Sequence, residues 1–349
     1  MASKPADYVT GTDGTSSIIV DHRTSHSLPS SAIQSILKPF GNIILKAGKP
    51  LPAGSPQLKP YHSSSRKVHI EETRILDTYI YVFTNTADST SKSPALLDAK
   101  EPVKRKLYYF AGGGFRGAPT DQHWSLCAEL STQLPQYSIN LVSYPLAPNS
   151  PAHHAIPQLE KLYDEMIVQA QAEGSRVTLM GDSAGGNIVI VLGIYGATRW
   201  LASGAEGVYP LQNVFAICPA ADLRHEHADI LAKETKDPVL SKKIIQGVAN
   251  GWKGDWELAD PRVSPALADL SVFKRAGIKV DGMTAGYDCL GPEGVAFREQ
   301  LAKEGVRGEW LDWERQMHCF ILMFQYKFSE PAAAKDWMLG VLRRNAEMS

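Results

Sequence analysis

Gly181-Asp182-Ser183-Ala184-Gly185-Gly186 lies between an apolar, β-forming run, Arg176-Val177-Thr178-Leu179-Met180, and a helix-forming run from Asn187 to Ala197. A strand, a glycine-tight turn bearing a serine, then a helix is the context that makes G-x-S-x-G a nucleophile elbow. Strand and helix nearly touch at such a turn, so the residues flanking the serine must be small. Gly181, Ala184 and Gly185 meet that demand. The start of the helix also leaves unpaired N–H groups beside the hydroxyl, where negative charge can be met. The same string occurs in turns of no chemical consequence, so the rest of the chain must decide.

Upstream, Lys106-Leu107-Tyr108-Tyr109-Phe110-Ala111-Gly112-Gly113-Gly114-Phe115 reads as a strand running into three glycines. Consecutive glycines cost conformational entropy, so something must need bare backbone there. In acyl transfer that need is N–H groups aimed at the oxyanion of a tetrahedral intermediate. A flexible surface loop is the alternative.

A serine on this kind of elbow is followed along the chain by an acid and then a histidine. Three histidines follow Ser183: His225, His227 and His318. Only His318 lies near the C-terminus, on a loop after the strand-like Gly308-Glu309-Trp310-Leu311-Asp312-Trp313. The acid is read as Asp288, where a short β-like run ends and the helix-like stretch from Glu293 to Glu304 follows. An acid at a strand's C-terminal end faces the rim that also carries the serine. Asp281 and Asp312 are rivals, the first at the opening of its strand, the second within one.

With these residues in view, the chain resembles the hormone-sensitive-lipase-like branch of the α/β-hydrolases, a family of many carboxylesterases. The likeness runs from about Lys106 to the C-terminus. It rests on ordered blocks: residues 111–115, Tyr144-Pro145-Leu146-Ala147-Pro148, residues 181–186, Asp260-Pro261-Arg262-Val263-Ser264-Pro265, the Asp288 block and His318. The resemblance implies Ser183 as nucleophile, His318 as base and Asp288 as orienting acid. It also implies an oxyanion hole from the N–H groups of Gly113, Gly114 and Ala184. Three positions depart from the family pattern. Ala111 replaces a histidine whose side chain braces the glycine loop, Pro145 replaces an arginine, and Pro292 replaces an acid, with Glu293 next to it. The departures suggest a specialised branch, nearer to fungal members that accompany polyketide pathways than to broad-range bacterial esterases.

Composition bounds the rest. The 349 residues are 44% hydrophobic with a formal net charge of −1, ordinary for a globular protein. Nothing in that balance supports binding to nucleic acid or to an anionic membrane. No apolar run reaches membrane-spanning length, and the start lacks a secretory apolar core, so a cytoplasmic protein is expected. The four cysteines, Cys127, Cys218, Cys289 and Cys319, are widely spaced. No CxxC or Cys/His ligand spacing is present, so neither zinc nor a disulfide framework is expected.

The organisation follows from period and punctuation. The first 30 residues, rich in Ser, Thr and Asp, read as mobile. Ile33, Ile36, Leu37, Phe40 and Ile44 repeat at helical spacing, broken near Pro39 and Gly41, as a core helix or a lid. Residues 49–60 read as a linker and 88–102 as an exposed loop. Strands are expected near 68–70, 78–83, 106–110, 139–144, 176–180, 214–218 and 279–285, the later ones alternating with helices such as 158–172. That alternation means a mostly parallel central sheet covered by helices on both faces, the α/β-hydrolase fold with a helical cap. An N-terminal segment and cap helix would occupy 1–65, and a catalytic domain 66–349, with a cap insertion at about 222–268. Trp252 and Trp256 of that insertion either wall a pocket or are buried in the cap.

The expected reaction is hydrolysis of a carboxylic ester, or a lactone or thioester, of a hydrophobic small molecule through an acyl-serine. No metal or organic cofactor is needed, and a monomer or homodimer would suffice. A cyclase or dehydratase using the same pocket, and a small-molecule receptor, are the rival functions.

Overall fold

The computed structural model describes residues 16–41, 49–61, 68–85 and 103–347. Residue Ile44 and the expected loop at 88–102 fall outside them. The described strands form one nine-stranded sheet in the order β1-β9-β8-β7-β6-β4-β5-β3-β2. These are β1 (Ile18–Arg23), β2 (Val68–Ile75), β3 (Thr78–Asn85), β4 (Arg105–Phe110), β5 (Tyr137–Val142), β6 (Arg176–Asp182), β7 (Leu211–Ile217), β8 (Lys279–Ala285) and β9 (Gly308–Trp313). All neighbours pair in parallel except β2 with β3 and β3 with β5.

The central strands are buried on both faces, which is why they read as near-continuous apolar runs. Alternate side chains serve two cores. Tyr108 and Phe110 face one layer with Ile188 and Leu159, and Leu107 and Tyr109 face the other with Leu126 and Met338. The first layer holds α3 (Ala152–Glu173) and α4 (Ala184–Ser203); the second holds α2 (Asp121–Gln133) and α9 (Ser329–Glu347).

The chain steps from β4 outward to β5, then returns to place β6 on β4's other side. Where strand order reverses in this way, the loops at the strands' C-terminal ends part and leave a crevice. The glycine loop after β4 and the serine turn after β6 are those two loops.

Two expectations need correction. Instead of the mobile stretch expected from its composition, Ile18–Arg23 pairs with β9 as an edge strand, with Val20 opposite Trp310. Residues 49–61 are not a free linker either. Ser55 Oγ donates to Ser143 O at 2.5 Å, and Tyr81 Oη accepts from Leu58 N at 2.6 Å.

The helix expected from the spacing of Ile33, Ile36 and Leu37 is α1 (Leu28–Leu37), which passes into a 3-10 turn at Lys38–Phe40. Ser27 caps it, its Oγ accepting from Ser30 N. The buried carboxylate of Glu330 accepts from the hydroxyls of Ser27 at 2.9 Å and Ser30 at 2.6 Å. Burial opposes ionisation of Glu330, yet hydrogen bonds from the Ser30 hydroxyl, the Ser27 N–H and the Ser329 hydroxyl outweigh it and hold its pKa below the usual carboxylate value. α1 is thereby fixed to the start of α9. Within 222–268 lie α5 (Ile230–Glu234) and α6 (Lys242–Lys253). The short α7 (Ser271–Arg275) precedes β8, and α8 (Gly291–Lys303) follows it.

Candidate active site

Ser183 joins β6 to α4 with φ 52° and ψ −116°. A side-chain-bearing residue held in such a sparsely populated region costs roughly 1–3 kcal/mol, so its surroundings must impose it. Ser183 N donates to Ile217 O at 2.9 Å, and Asn187 N donates to Ser183 O at 3.1 Å. The buried amide of Asn187 donates to the carbonyls of Ala220 and Val263 at 2.7 and 2.8 Å. Sterics complete the constraint: a Cβ on Gly185 would lie 1.9 Å from Phe110 O, and one on Gly181 2.5 Å from Gly185 C.

The structure brings the three residues expected from the sequence together. His318 Nε2 lies 2.8 Å from Ser183 Oγ, and His318 Nδ1 lies 2.7 Å from Asp288 Oδ2. Asp288 is fully buried, and its Oδ1 accepts from Leu290 N at 2.8 Å. The loops carrying acid and imidazole are tied to each other, Tyr287 N donating to Gln316 O at 2.9 Å. A carboxylate at Nδ1 keeps the ring proton there, which leaves Nε2 free to accept from the serine. Burial pulls the His318 pKa down, but the charge and hydrogen bond of Asp288 outweigh it and push it up to about 10.

The rival acids are occupied elsewhere. Asp281 accepts from the amides of Asn213 and Asn345 at 2.8 and 2.7 Å and from Glu309 N at 2.7 Å. Burial raises its pKa to about 6. Asp312 accepts from Thr284 Oγ1 at 2.9 Å. His225 pairs through Nδ1 with the buried Glu293 at 2.9 Å, so the acid remaining beside Pro292 serves that histidine. His227 is partly exposed, 4.0 Å from Asp229.

Gly113 and Gly114 have φ of 129° and 60°, and Phe115 continues at 57°. Such positive angles explain the glycines. Among the described residues the N–H groups of Gly113 and Gly114 have no protein acceptor. Ala184 opens α4, where amides also lack intrahelical partners. The loop is braced despite Ala111. Asp182 Oδ1 accepts from Gly112 N at 2.9 Å and Tyr109 Oη at 2.6 Å, and its Oδ2 lies 3.3 Å from His123 Nε2. Burial raises the Asp182 pKa, but His123 and the donated hydrogen bonds overcome it and hold the carboxyl below its usual value.

Sequence reading did not find this brace, because His123 comes from α2 by a tertiary approach without local spacing. Asp182→Ala would leave Gly112 N–H, Tyr109 Oη and His123 Nε2 without this partner. It is expected to destabilise the fold by about 3–5 kcal/mol and to lower kcat about 10²-fold. Thermal melting and steady-state kinetics check both, and an unchanged kcat would separate the brace from the oxyanion loop.

Ser183 and His318 open into a cavity of about 780 Å³. Its walls are largely apolar, with Ile33 and Leu37 from α1 and Ile244, Ile245 and Val248 from α6. The tryptophans of that region do not line it. Trp252 is buried and stacks on Phe115, ring centroids 4.3 Å apart and planes 7° from parallel. Trp256 lies under the Arg262 guanidinium at 3.7 Å. Trp252 therefore backs the glycine loop from behind. Asp237, also unforeseen, accepts from Cys289 N at 2.8 Å and links the stretch between β7 and β8 to the acid's loop. Burial and the neighbouring Asp288 charge raise its pKa to about 6.

A serine turn and a glycine loop meeting at the reversal point of a mostly parallel sheet belong to one class of proteins, those of the α/β-hydrolase fold. The chain belongs to that family: the pattern for the alpha/beta hydrolase fold matches residues 107–322. It is 25% identical over 212 residues to an esterase of Acinetobacter venetianus, covering 60% of this chain and 66% of that protein. It is 29% identical over 230 residues to the esterase LipI of Mycobacterium tuberculosis, covering 64% and 67%. The matches thus span about two thirds of these curated relatives. The fold is also similar to a solved hormone-sensitive lipase from a metagenome library, at 18% identity and a TM-score of 0.69 over 93% of this chain and 99% of that one. Among the described residues no helix is long and apolar enough to cross a membrane.

Proposed function

We propose that the protein is a carboxylesterase-type serine hydrolase acting on esters of hydrophobic small molecules. The observation that carries the reading is the continuous chain of hydrogen bonds from Ser183 Oγ through His318 to Asp288, beside glycine amides that have no acceptor among the described residues. Relatives named esterases support the ester as substrate.

His318 Nε2 takes the Ser183 proton as Oγ attacks the carbonyl carbon. The carbonyl π electrons move to oxygen, and the N–H groups of Gly113, Gly114 and Ala184 receive that oxyanion, each contributing about 3 kcal/mol. Asp288 keeps the tautomer and stabilises the imidazolium. His318 then gives the proton to the leaving alkoxide as its bond to carbon breaks. In the second half water attacks the acyl carbon and loses its proton to His318, which returns it to Ser183 Oγ as the acyl–oxygen bond breaks and the acid leaves. No step calls for a metal or organic cofactor.

In this reading α1 and the segment at about 222–268 form the cap, and its aliphatic side chains select the acyl group. A Cβ at Gly114 would stand 3.2 Å from Val248 Cγ2, so Val248 is next to the expected oxyanion position. Val248→Trp is expected to lower kcat/KM at least about 10-fold for long p-nitrophenyl esters while sparing the acetate. A chain-length series on both proteins measures this. Stoichiometric labelling of Ser183 by a fluorophosphonate tests the nucleophile, and labelling at another residue would overturn the reading.

A further inference from the structure

Three soft or borderline donors meet at the candidate triad: His318 and Cys319 are neighbours in the chain, and Cys218 is brought to them by the fold. Cys218 follows β7, and Cys319 follows His318 on the loop after β9. Their two Sγ atoms and a ring nitrogen of His318 all lie within 4.8 Å of one another. Cys319 Sγ is 3.5 Å from His318 Nε2. Both cysteines are free and buried, and both sit at positive φ, 43° and 49°, on turns that face each other.

We propose that Cys218, Cys319 and His318 form a binding site for a thiophilic d¹⁰ cation, zinc by preference, and that its occupation shuts the candidate catalytic base.

The geometry suits the ion. Zinc–sulfur bonds of about 2.3 Å and zinc–imidazole bonds of about 2.0 Å at a tetrahedral angle put S and N about 3.5 Å apart. The Cys319–His318 separation already has that value. The imidazole is also oriented as a ligand, because Nδ1 is held on Asp288 at 2.7 Å and Nε2 is turned toward the Cys319 sulfur. A carboxylate behind the histidine is the usual way in which proteins orient an imidazole on zinc. Binding displaces the proton held on His318 Nε2 and converts two thiols to thiolates, releasing these protons to solvent, so cation and thiolates cancel in charge, which favours burial. Three protein ligands leave a fourth position for water or Ser183 Oγ, 2.8 Å from Nε2. His318 and Cys319 line the cavity, which gives the ion its path. A metal on Nε2 takes the lone pair that would accept the serine proton. Zinc here is an inhibitor, and the site is absent from the hydrolytic steps.

The site uses His318 only as a ligand, so it can be tested without relying on hydrolysis. The full chain is titrated with CdCl₂ while the ultraviolet thiolate-to-cadmium charge-transfer band is followed. One equivalent should saturate the band, and Ser183→Ala should show it equally. Cys218→Ser and Cys319→Ser should each weaken cadmium binding at least about 100-fold. In the active protein, Zn²⁺ should block hydrolysis and fluorophosphonate labelling, and EDTA should restore both. X-ray absorption on the zinc-loaded wild-type protein, which needs no variant to fold, should give two sulfur neighbours at about 2.3 Å and one imidazole nitrogen. A zinc environment without sulfur, or a cadmium band unchanged when both cysteines are replaced, would overturn the proposal.

Discussion

Ser183→Ala is expected to lower kcat by about 10⁶-fold while leaving the fold intact. The size follows from the mechanism: without Oγ there is no covalent intermediate, and what survives is the rate that the oxyanion amides and the cavity give to direct attack by water. The fold should persist because the hydroxyl's only described hydrogen bond is to His318. Alanine also inherits the φ of 52° that serine already tolerates. His318 keeps its partner at Nδ1, so no buried charge is stranded. The measurement pairs kcat on a verified ester with intact-protein mass after brief exposure to substrate. Wild type should gain the acyl mass and the variant should not. Retention of more than about one part in a hundred of wild-type turnover would remove the acyl-serine from the mechanism.

The parts of the fold legible in the sequence were those with one physical signature. The expected strand Lys279–Ala285 coincides with β8, because a strand covered on both faces by helices must be apolar throughout and its ends stand out against charged loops. β1 was not legible for the opposite reason. It is an edge strand with Ile19 57% exposed, paired on one side only, and set in a polar stretch that hides its short apolar run. Ser183, Asp288 and His318 could be placed because chain order and element type constrain each of them before any contact is known.

The second layer of the site obeys no such order. His123 reaches Asp182 from α2, and Trp252 reaches Phe115 from α6. Ala111 illustrates the consequence. From the sequence it marked a glycine loop missing its histidine brace, whereas the loop's amide is held by the carboxylate immediately before the serine. Read one position at a time, the substitution removes a brace, and the fold supplies a hydrogen bond to the loop from another strand. Cys218 and Cys319 teach the same lesson, since they lie on separate strand-end loops that meet only because β7 and β9 flank β8.

Asp288→Asn is expected to cost about 10⁴-fold in kcat/KM and to change the shape of the pH profile. Leu290 N–H already donates to Oδ1, so the asparagine amide oxygen is drawn to that position and its NH₂ turns toward His318 Nδ1. Nδ1 must then accept, the ring proton moves to Nε2, and Nε2 can no longer take the serine proton. The charge change acts separately. In wild type the Asp288 carboxylate outweighs burial and pushes the His318 pKa from 6.5 up to about 10. The imidazolium cannot act as base, so wild-type kcat/KM should rise with pH into the alkaline range and fall as pH drops. In the variant the Asp288 anion is gone, and burial lowers the pKa against only the smaller upward pull of Cys218 and Asp237, so the acid limb should move to lower pH. Stability should follow the same titration. A histidine whose pKa is raised by folding stabilises fully below its unfolded value of 6.5, and loses that contribution as pH rises through about 10. The melting-temperature gap between wild type and variant should therefore be widest in acid and shrink toward alkaline pH. Profiles of kcat/KM and of melting temperature measured on both proteins over that range give the test. Coincident acid limbs would mean that Asp288 does not set the protonation of His318.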